Sequence, residues 1–237
     1  MLAVEGVMGV VLLAACTALV VRTVDRSSSA PTLPHVASLA ADGHAAATLR
    51  VITGTPALTI TVANLGLTGT LLRVSTPAAS PAPRLRTAGG GGDPVVSLSA
   101  VDATAITVTL NSAVSWQLDL AAGTTRTVAD LVGGRVAGIA ITKGSNVIDL
   151  TLPRPDAGVA VRLAAGASRL QLNLPSGVPA RVSTTAGVGE ISLDGDSHVG
   201  VAAGSVFTTP GWSPGAPGYD VDATVGTARI SVTTQAS

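Results

Sequence analysis

Apolar and polar residues alternate on both sides of recurring glycines. Around Gly166, Val161 and Leu163 stand five and three residues before the glycine, and Leu170 and Leu172 stand four and six residues after it. An offset of two places each pair on one face of a β-strand. The pattern therefore predicts two short strands joined at a glycine.

The two-strand pattern repeats along the chain. Four of its glycines are spaced 21, 22 and 21 residues apart, namely Gly123, Gly144, Gly166 and Gly187. Gly54 and Gly226 carry the same offsets, whereas Gly204 fits poorly. Gly123 has Thr127 and Ala129 in the slots that are otherwise apolar on its C-terminal side. A glycine at each corner is expected where a positive φ, or the lack of a Cβ atom, lets the chain bend sharply.

This periodicity predicts an all-β fold, a β-helix-like β-solenoid with rungs of about 21 residues. The alternative is a β-sandwich or barrel, which does not explain why residue types recur at fixed offsets from a glycine. Residues 49–62 and 70–74 also have strand patterns, and so do 95–98 and 106–110. Residues 76–94 are rich in proline and glycine and are predicted to be a long loop.

The N-terminal region has a different pattern. Residues 6–21 are sixteen consecutive apolar or small residues, somewhat short of a full span. We expect residues 1–26 to be a membrane anchor, residues 27–43 a Ser/Pro-containing linker, and residues 44–237 the solenoid domain. The anchor would be one hydrophobic helix, giving a single-pass membrane protein with an extracytoplasmic domain.

Two alternatives remain for the N-terminal segment. It could be a cleaved signal peptide, or a lipoprotein signal, since Leu-Ala-Ala-Cys at 13–16 resembles a lipobox ending at Cys16. The protein would then be secreted or lipid-anchored. No Lys or Arg precedes the apolar run, which departs from the usual signal pattern. Cys16 is the single cysteine, so an internal disulfide is excluded.

Composition narrows the classes of function. Only 12% of the residues are charged and 2% are aromatic, and the formal net charge is zero. A nucleic-acid surface needs a basic stripe, with stacking aromatic residues for single strands, and neither is present in the sequence. We therefore expect no nucleic-acid partner.

The sequence contains no recognisable catalytic or metal-binding motif. Its three histidines are far apart and lack metal-ligand spacing. Residues 194–196 (Asp-Gly-Asp) and 220–222 (Asp-Val-Asp) could suggest calcium, but neither continues into a calcium-binding loop, and a turn explains 194–196 better. We expect no catalytic residues, no cofactor and no metal, and hence a protein that is not an enzyme.

Residues 205–219 interrupt the repeat and contain Phe207, Trp212 and Tyr219. One interpretation is that Trp212 fixes this long loop to the solenoid. The other is an exposed aromatic contact for a glycan or an envelope protein. Trp116 alternates with apolar neighbours and is expected in the core. Five arginines fall on polar faces or turns and are interpreted as solvated: Arg126, Arg162, Arg169, Arg181 and Arg229.

Residues 166–182 and 186–195, together with 211–226, resemble an uncharacterised group of actinobacterial envelope proteins. These are similar to the adhesin-like β-solenoid domains of the DUF4097 and LiaF C-terminal type. The resemblance covers about residues 44–235. It implies a β-solenoid outside the membrane with an adhesive, sensory or scaffolding role, and it supplies no catalytic residues.

The sequence thus leads us to expect a membrane-tethered, non-catalytic envelope module that is adhesin-like. The alternatives are a sensory or regulatory partner of a membrane signalling protein and, less well supported, a glycan-active solenoid enzyme.

Overall fold

The computed structural model describes residues 33–66, 69–89 and 92–235. All regular elements in these ranges are β-strands, so the all-β prediction is confirmed. The strands are β1 His35–Ala40, β2 Ala46–Val51, β3 Thr55–Ala63, β4 Thr70–Thr76, β5 Arg84–Ala88, β6 Val95–Ser99, β7 Ala105–Asn111, β8 Ser115–Leu120, β9 Thr124–Asp130, β10 Arg135–Ile141, β11 Ser145–Thr151, β12 Gly158–Leu163, β13 Ala167–Leu174, β14 Ala180–Thr184, β15 Val188–Leu193, β16 Asp196–Val201, β17 Val206–Thr208, β18 Gly218–Ala223 and β19 Thr227–Thr234.

The strands form two sheets. The first sheet has ten strands in the order β1-β4-β7-β3-β9-β11-β13-β19-β15-β16. The second sheet has nine, in the order β17-β14-β18-β12-β10-β8-β2-β6-β5. Both sheets are mixed, because interior neighbours pair parallel and the strands toward each end pair antiparallel. Within the described residues neither sheet closes on itself.

The chain alternates between the sheets. Each two-strand unit places one strand in the second sheet and the next in the first sheet, as in β8–β9, β10–β11 and β12–β13. Like positions of neighbouring units then pair directly. In the second sheet one buried column contains Leu49, Leu118, Ile139, Val161, Val221 and Val182. In the first sheet its counterpart contains Leu58, Thr127, Ile148, Leu170, Ile230 and Ile191. The register that the glycine offsets predicted is therefore confirmed.

The units do not stack in sequence order. The unit β2–β3 lies between β6–β7 and β8–β9, and the unit β18–β19 lies between β12–β13 and β14–β15. The strands β1, β4 and β5 complete one end of the two sheets, and β16 and β17 complete the other. The unit β2–β3 thus lies between two units that follow it in the chain, and β18–β19 lies between two units that precede it.

The core consists of the columns that face between the sheets. The core includes even Thr127 and Ala129, the two less apolar residues that follow Gly123, because each is only 1% exposed. Trp116 is also buried, as expected, and its Nε1 donates a hydrogen bond to the Asn111 carbonyl oxygen at 3.0 Å. The buried aliphatic side chains provide the main stabilisation, each about 1.5–3 kcal/mol relative to full exposure.

A positive φ does not explain the corner glycines, and a Cβ atom would clash outright only at Gly54, where it would lie 2.9 Å from a backbone oxygen. The six glycines that fit the repeat all have φ outside the left-handed region, whereas the poorly fitting Gly204 has a φ of 81°. Gly204 lies in the connection between β16 and β17, outside the two-strand units. Of the two explanations offered by the sequence, a positive φ is therefore excluded at these six glycines, and the lack of a Cβ atom is needed at Gly54.

Two predicted boundaries are wrong. Residues 76–94 are not a continuous loop, because Arg84–Ala88 forms β5 and pairs antiparallel with β6. The prolines of this stretch lie outside β5, and an edge strand needs hydrogen-bonded neighbours on one side only. Residues 35–40, inside the predicted linker 27–43, form β1 and pair antiparallel with β4. The β domain therefore includes residues that precede residue 44.

Residues 1–32, including the predicted anchor helix and Cys16, lie outside the described residues. Within the described residues, no helix has the length and apolar character needed to cross a membrane.

Candidate functional site

The insertion of β18 between β12 and β14 brings together polar residues that are distant in sequence. Ala160 of β12 pairs with Asp220 of β18, which pairs with Arg181 of β14. Two residues further along the strands, Arg162 of β12 pairs with Asp222 of β18, which pairs with Ser183 of β14. These residues alternate with the buried valine column, so they lie on the outer face of the second sheet.

Two ion pairs connect these three strands. An Arg181 terminal nitrogen lies 2.8 Å from Asp220 Oδ1, and Arg162 Nε lies 3.9 Å from Asp222 Oδ2. The side chain of Arg181 is 27% exposed and that of Arg162 is 66% exposed. Pairs this accessible contribute little to stability. Their consequence is local: two guanidinium groups and two carboxylates are held side by side with no net charge.

Trp212 extends this polar cluster. The guanidinium carbon of Arg181 lies 5.7 Å from the centroid of the Trp212 ring, within the range of a cation–π interaction. The loop before Trp212 is held at Thr209, whose buried hydroxyl accepts a hydrogen bond from the Ala180 backbone nitrogen at 2.8 Å. The Thr209 nitrogen donates back to the Ala180 carbonyl oxygen at 2.8 Å. Trp212 is therefore positioned by the start of β14.

Two depressions on this face share Ala160 and Asp220. One, of about 280 Å³, lies at the start of β12 and β18 and is lined by the loop 212–216. The other, of about 420 Å³, lies at the end of the same strands, beside Ser205 and Val206. Together they form a shallow groove along the strands, which we call the sheet-face groove. We define it by Ala160, Arg162, Arg181, Trp212, Asp220 and Asp222.

The three aromatic residues singled out by sequence lie in different places. Trp212 is half-buried and lines the groove. Phe207, in β17, packs against the core, and its ring centroid lies 4.5 Å from that of His198 in β16. Tyr219 is completely buried, and its hydroxyl donates a hydrogen bond to the Pro153 carbonyl oxygen at 2.8 Å. Burial raises the pKa of the Tyr219 hydroxyl well above its usual value.

Trp212 is therefore the one of these three that a groove ligand could touch. Phe207 contributes to the end of the stack and Tyr219 to the core. Sequence reasoning did not group Arg162 and Arg181 with the two aspartates. The available signal was weak: Asp220 and Asp222 alternate with apolar residues as the arginines do, which places all four on outer faces without saying which strands are neighbours.

Across the described ranges, no cluster of three or more His, Cys, Asp or Glu side chains could hold a metal ion. The Asp194-Gly195 pair instead makes the two-residue turn between β15 and β16, with φ values of 49° and 92°. Both positive values are those of a tight hairpin turn. Asp194 Oδ1 also accepts a hydrogen bond from the Thr234 nitrogen at 2.6 Å. The turn interpretation of residues 194–196 is thus confirmed.

The fold is similar to that of a solved structure. The crystal structure of a putative cell adhesion protein from Clostridium sporogenes superposes with a TM-score of 0.62 at 15% sequence identity. The match covers 84% of this chain and 99% of the other. At this identity the likeness concerns the fold alone. No family model matches the chain, and no curated protein matches it either.

Proposed function

We propose that this chain is a non-catalytic, adhesin-like interaction module that binds its partner through the sheet-face groove. The observation that carries the proposal is that Trp212, two guanidinium groups and two carboxylates line two adjoining, accessible depressions of one groove. Interior strands of a sheet hold the four charged side chains, and a rigid scaffold favours binding because little order must be gained on contact. The fold likeness to a putative cell adhesion protein also supports this role.

The proposal includes the finer fold and family assignment. We regard the stacked two-strand units as a β-solenoid related to the DUF4097 and LiaF C-terminal domains. The parallel ladders with aligned core columns support this assignment. The stack of units in this protein contains inserted units and has antiparallel strands at its ends. It therefore differs from a solenoid that is wound strictly in sequence order.

We further propose that residues 1–26 tether the protein to the membrane, with the β domain on the extracytoplasmic side. The apolar run 6–21 supports the tether. Export as a secreted protein, or as a lipoprotein through Cys16, is the alternative. Cell fractionation with protease treatment of intact cells tests the location. We expect the β domain to be recovered in the membrane fraction and to be cleaved when intact cells are treated with protease. A cytosolic protein that is protected from the protease would contradict the proposal.

The binding role is tested with the full chain immobilised on beads, by measuring retention on cell envelopes of the source organism. Trp212→Ala is expected to lower the apparent affinity by roughly tenfold, the effect of removing a central aromatic contact. Val132→Ala is the control, because Val132 is an exposed residue of the β9–β10 turn, outside the groove. Equal retention of the two variants contradicts the proposal. Retention through a single membrane protein would favour the sensory alternative.

A further inference from the structure

We infer that the ligand of the sheet-face groove is an extended glycan chain without net charge. This inference rests on the proposed function and specifies the chemical class of its ligand. It follows from four properties of the groove: its charge balance, its mixture of donors and acceptors, its floor, and its position on a sheet face.

The charges of the groove cancel. Asp220 is paired with Arg181 and Asp222 lies beside Arg162, so the groove presents two positive and two negative groups. Anionic ligands need an excess of Arg or Lys, and cationic ligands need an excess of carboxylates. Neither excess exists here. A ligand without net charge therefore fits the groove better than a phosphate, a polyanion or a cation.

The same groups suit a ligand with many hydroxyls. Guanidinium groups only donate hydrogen bonds and carboxylates only accept them, whereas each hydroxyl does both. The hydroxyls of Ser183 and Ser205 also line the larger depression. A sugar chain presents hydroxyls at intervals along its length, so it can be bonded by donors and acceptors that alternate across β12, β18 and β14.

The floor and one wall suit the flat apolar face of a sugar ring. Ala160 is exposed and small, so the surface between the two depressions is low. Trp212 lines the depression at the start of β12 and supplies an aromatic ring with an apolar face. The groove follows the six residues of β12, a length of roughly 20 Å at the usual strand rise. A chain of several sugar units can lie along it.

The location disfavours an extended peptide. Peptides that bind sheets usually add a strand at a free edge, where unpaired backbone groups give them affinity. Here β12, β18 and β14 are interior strands with neighbours on both sides. A peptide backbone laid over their outer face would leave many of its own polar groups without backbone partners. A glycan has no such requirement, because side chains can satisfy its hydroxyls.

The test uses the full chain on an array of immobilised neutral and acidic oligosaccharides, followed by calorimetric titration with the strongest soluble binder. We expect binding to neutral oligosaccharides, with an affinity that changes little between low and physiological salt because no net charge is involved. Trp212→Ala is expected to weaken binding by roughly tenfold. Ala160→Arg is expected to abolish it, because the new side chain fills the floor of the groove.

The matched control is Thr107→Arg, which adds the same side chain at an exposed strand position in β7 of the other sheet. Its affinity should equal that of the unmodified protein. Ala160→Arg and Thr107→Arg keep the test decisive even if Trp212→Ala disturbs the loop. Circular dichroism of each variant verifies folding.

The outcomes separate this inference from the proposed function. Binding to acidic oligosaccharides alone, with a steep salt dependence, overturns the inference. So does envelope retention that Trp212→Ala abolishes but periodate oxidation of envelope sugars leaves intact, although the binding role then stands. If the unmodified protein shows neither envelope retention nor glycan binding, both proposals are overturned.

Discussion

The carbonyl oxygen of Gly123 lies 2.9 Å from the position that a Cβ atom on Gly54 would occupy. From Gly54 to Gly226 the corner glycines of neighbouring units face one another in this way, and the distance increases along the stack. The corresponding values are 3.3 Å at Gly123, 3.4 Å at Gly144, 3.5 Å at Gly166 and 3.7 Å at Gly226. At the last corner, the Cβ position of Gly187 instead lies 3.5 Å from the Val201 carbonyl oxygen. The need for glycine is therefore strict at Gly54 and relaxed at Gly226.

This gradient predicts opposite effects of one substitution at two equivalent corners. Gly54→Ala should destabilise the fold by about 1–3 kcal/mol, because backbone must move to admit the Cβ atom. Gly226→Ala should be neutral or stabilising by up to about 1 kcal/mol, since alanine restricts the unfolded chain. Urea unfolding of both variants provides the measurement. Equal losses would show that the corners need glycine for another reason.

Tyr219 predicts a loss of stability at alkaline pH. Burial raises the pKa of its hydroxyl in the folded state, so the folded protein retains the proton more strongly than the unfolded chain. This contribution is fully present below the ordinary tyrosine pKa of about 10 and is lost as the pH rises above it. The slope should approach about 1.4 kcal/mol per pH unit. Unfolding free energies measured across this range test it.

Tyr219→Phe is the control, because it removes the titrating group and also the hydrogen bond to Pro153, at a cost of about 1 kcal/mol. Its stability should fall less steeply above pH 10. Tyr219 is the single tyrosine of the sequence, so phenolate absorbance reports on it directly. Ionisation near pH 10 in the folded protein would be inconsistent with the buried position.

Leu172 tests the core columns. It is 0% exposed and pairs with Leu150 and Val232 in the first sheet. Leu172→Asp should cost about 4 kcal/mol or more and unfold the domain, because the carboxylate would be buried without a partner. Ser231→Asp places the same carboxylate on the outer face of β19 and should remain folded. Far-ultraviolet circular dichroism and thermal melting distinguish them, and a folded Leu172→Asp would refute the register.

Asn111 holds the β3–β4 connection in place. It is fully buried, and its Nδ2 donates to the carbonyl oxygens of Gly66 at 2.7 Å and Thr70 at 2.9 Å. Its Oδ1 accepts from the Ala113 nitrogen at 3.0 Å. Asn111→Ala should destabilise the domain by about 2–4 kcal/mol, because it leaves buried backbone groups without partners.

The matched control is Asn64→Ala, which removes an exposed side chain whose Oδ1 accepts from the Gly66 nitrogen in the same connection. Hydrogen exchange of the amides flanking this connection should accelerate in the Asn111 variant and much less in the control. If the two variants lose equal stability, the buried hydrogen bonds of Asn111 do not hold the connection.

The sequence pattern predicted the two-strand units where a glycine marks the corner. It predicted the strands β6 and β7 but did not join them into a unit, because Val101 and Asp102 make a corner without glycine that is one residue longer, with Asp102 at a φ of 60°. It also missed the edge strands β1 and β5, whose half-exposed residues alternate only weakly. A repeat pattern identifies units of equal length and similar residues, and it does not identify a unit whose corner differs.

The candidate site was less predictable for a different reason. Trp212 stood out as a rare aromatic residue in a break of the repeat. The neighbours of Asp220 could not be inferred, because every unit presents the same apolar columns to the next. The insertion of β18 between β12 and β14 is therefore not encoded in the pattern of any single strand. The ion pairs of the groove depend on that insertion.

The interior position of β18–β19 also bears on synthesis. These strands are made after β12–β13 and β14–β15, yet they lie between them. While the ribosome is still making residues 218–234, both sheets have unpaired interior edges, so the domain cannot be completed progressively from its N-terminus. Assembly must wait for long-range pairing with strands that are made after both of their neighbours, and exposed edges favour aggregation until then.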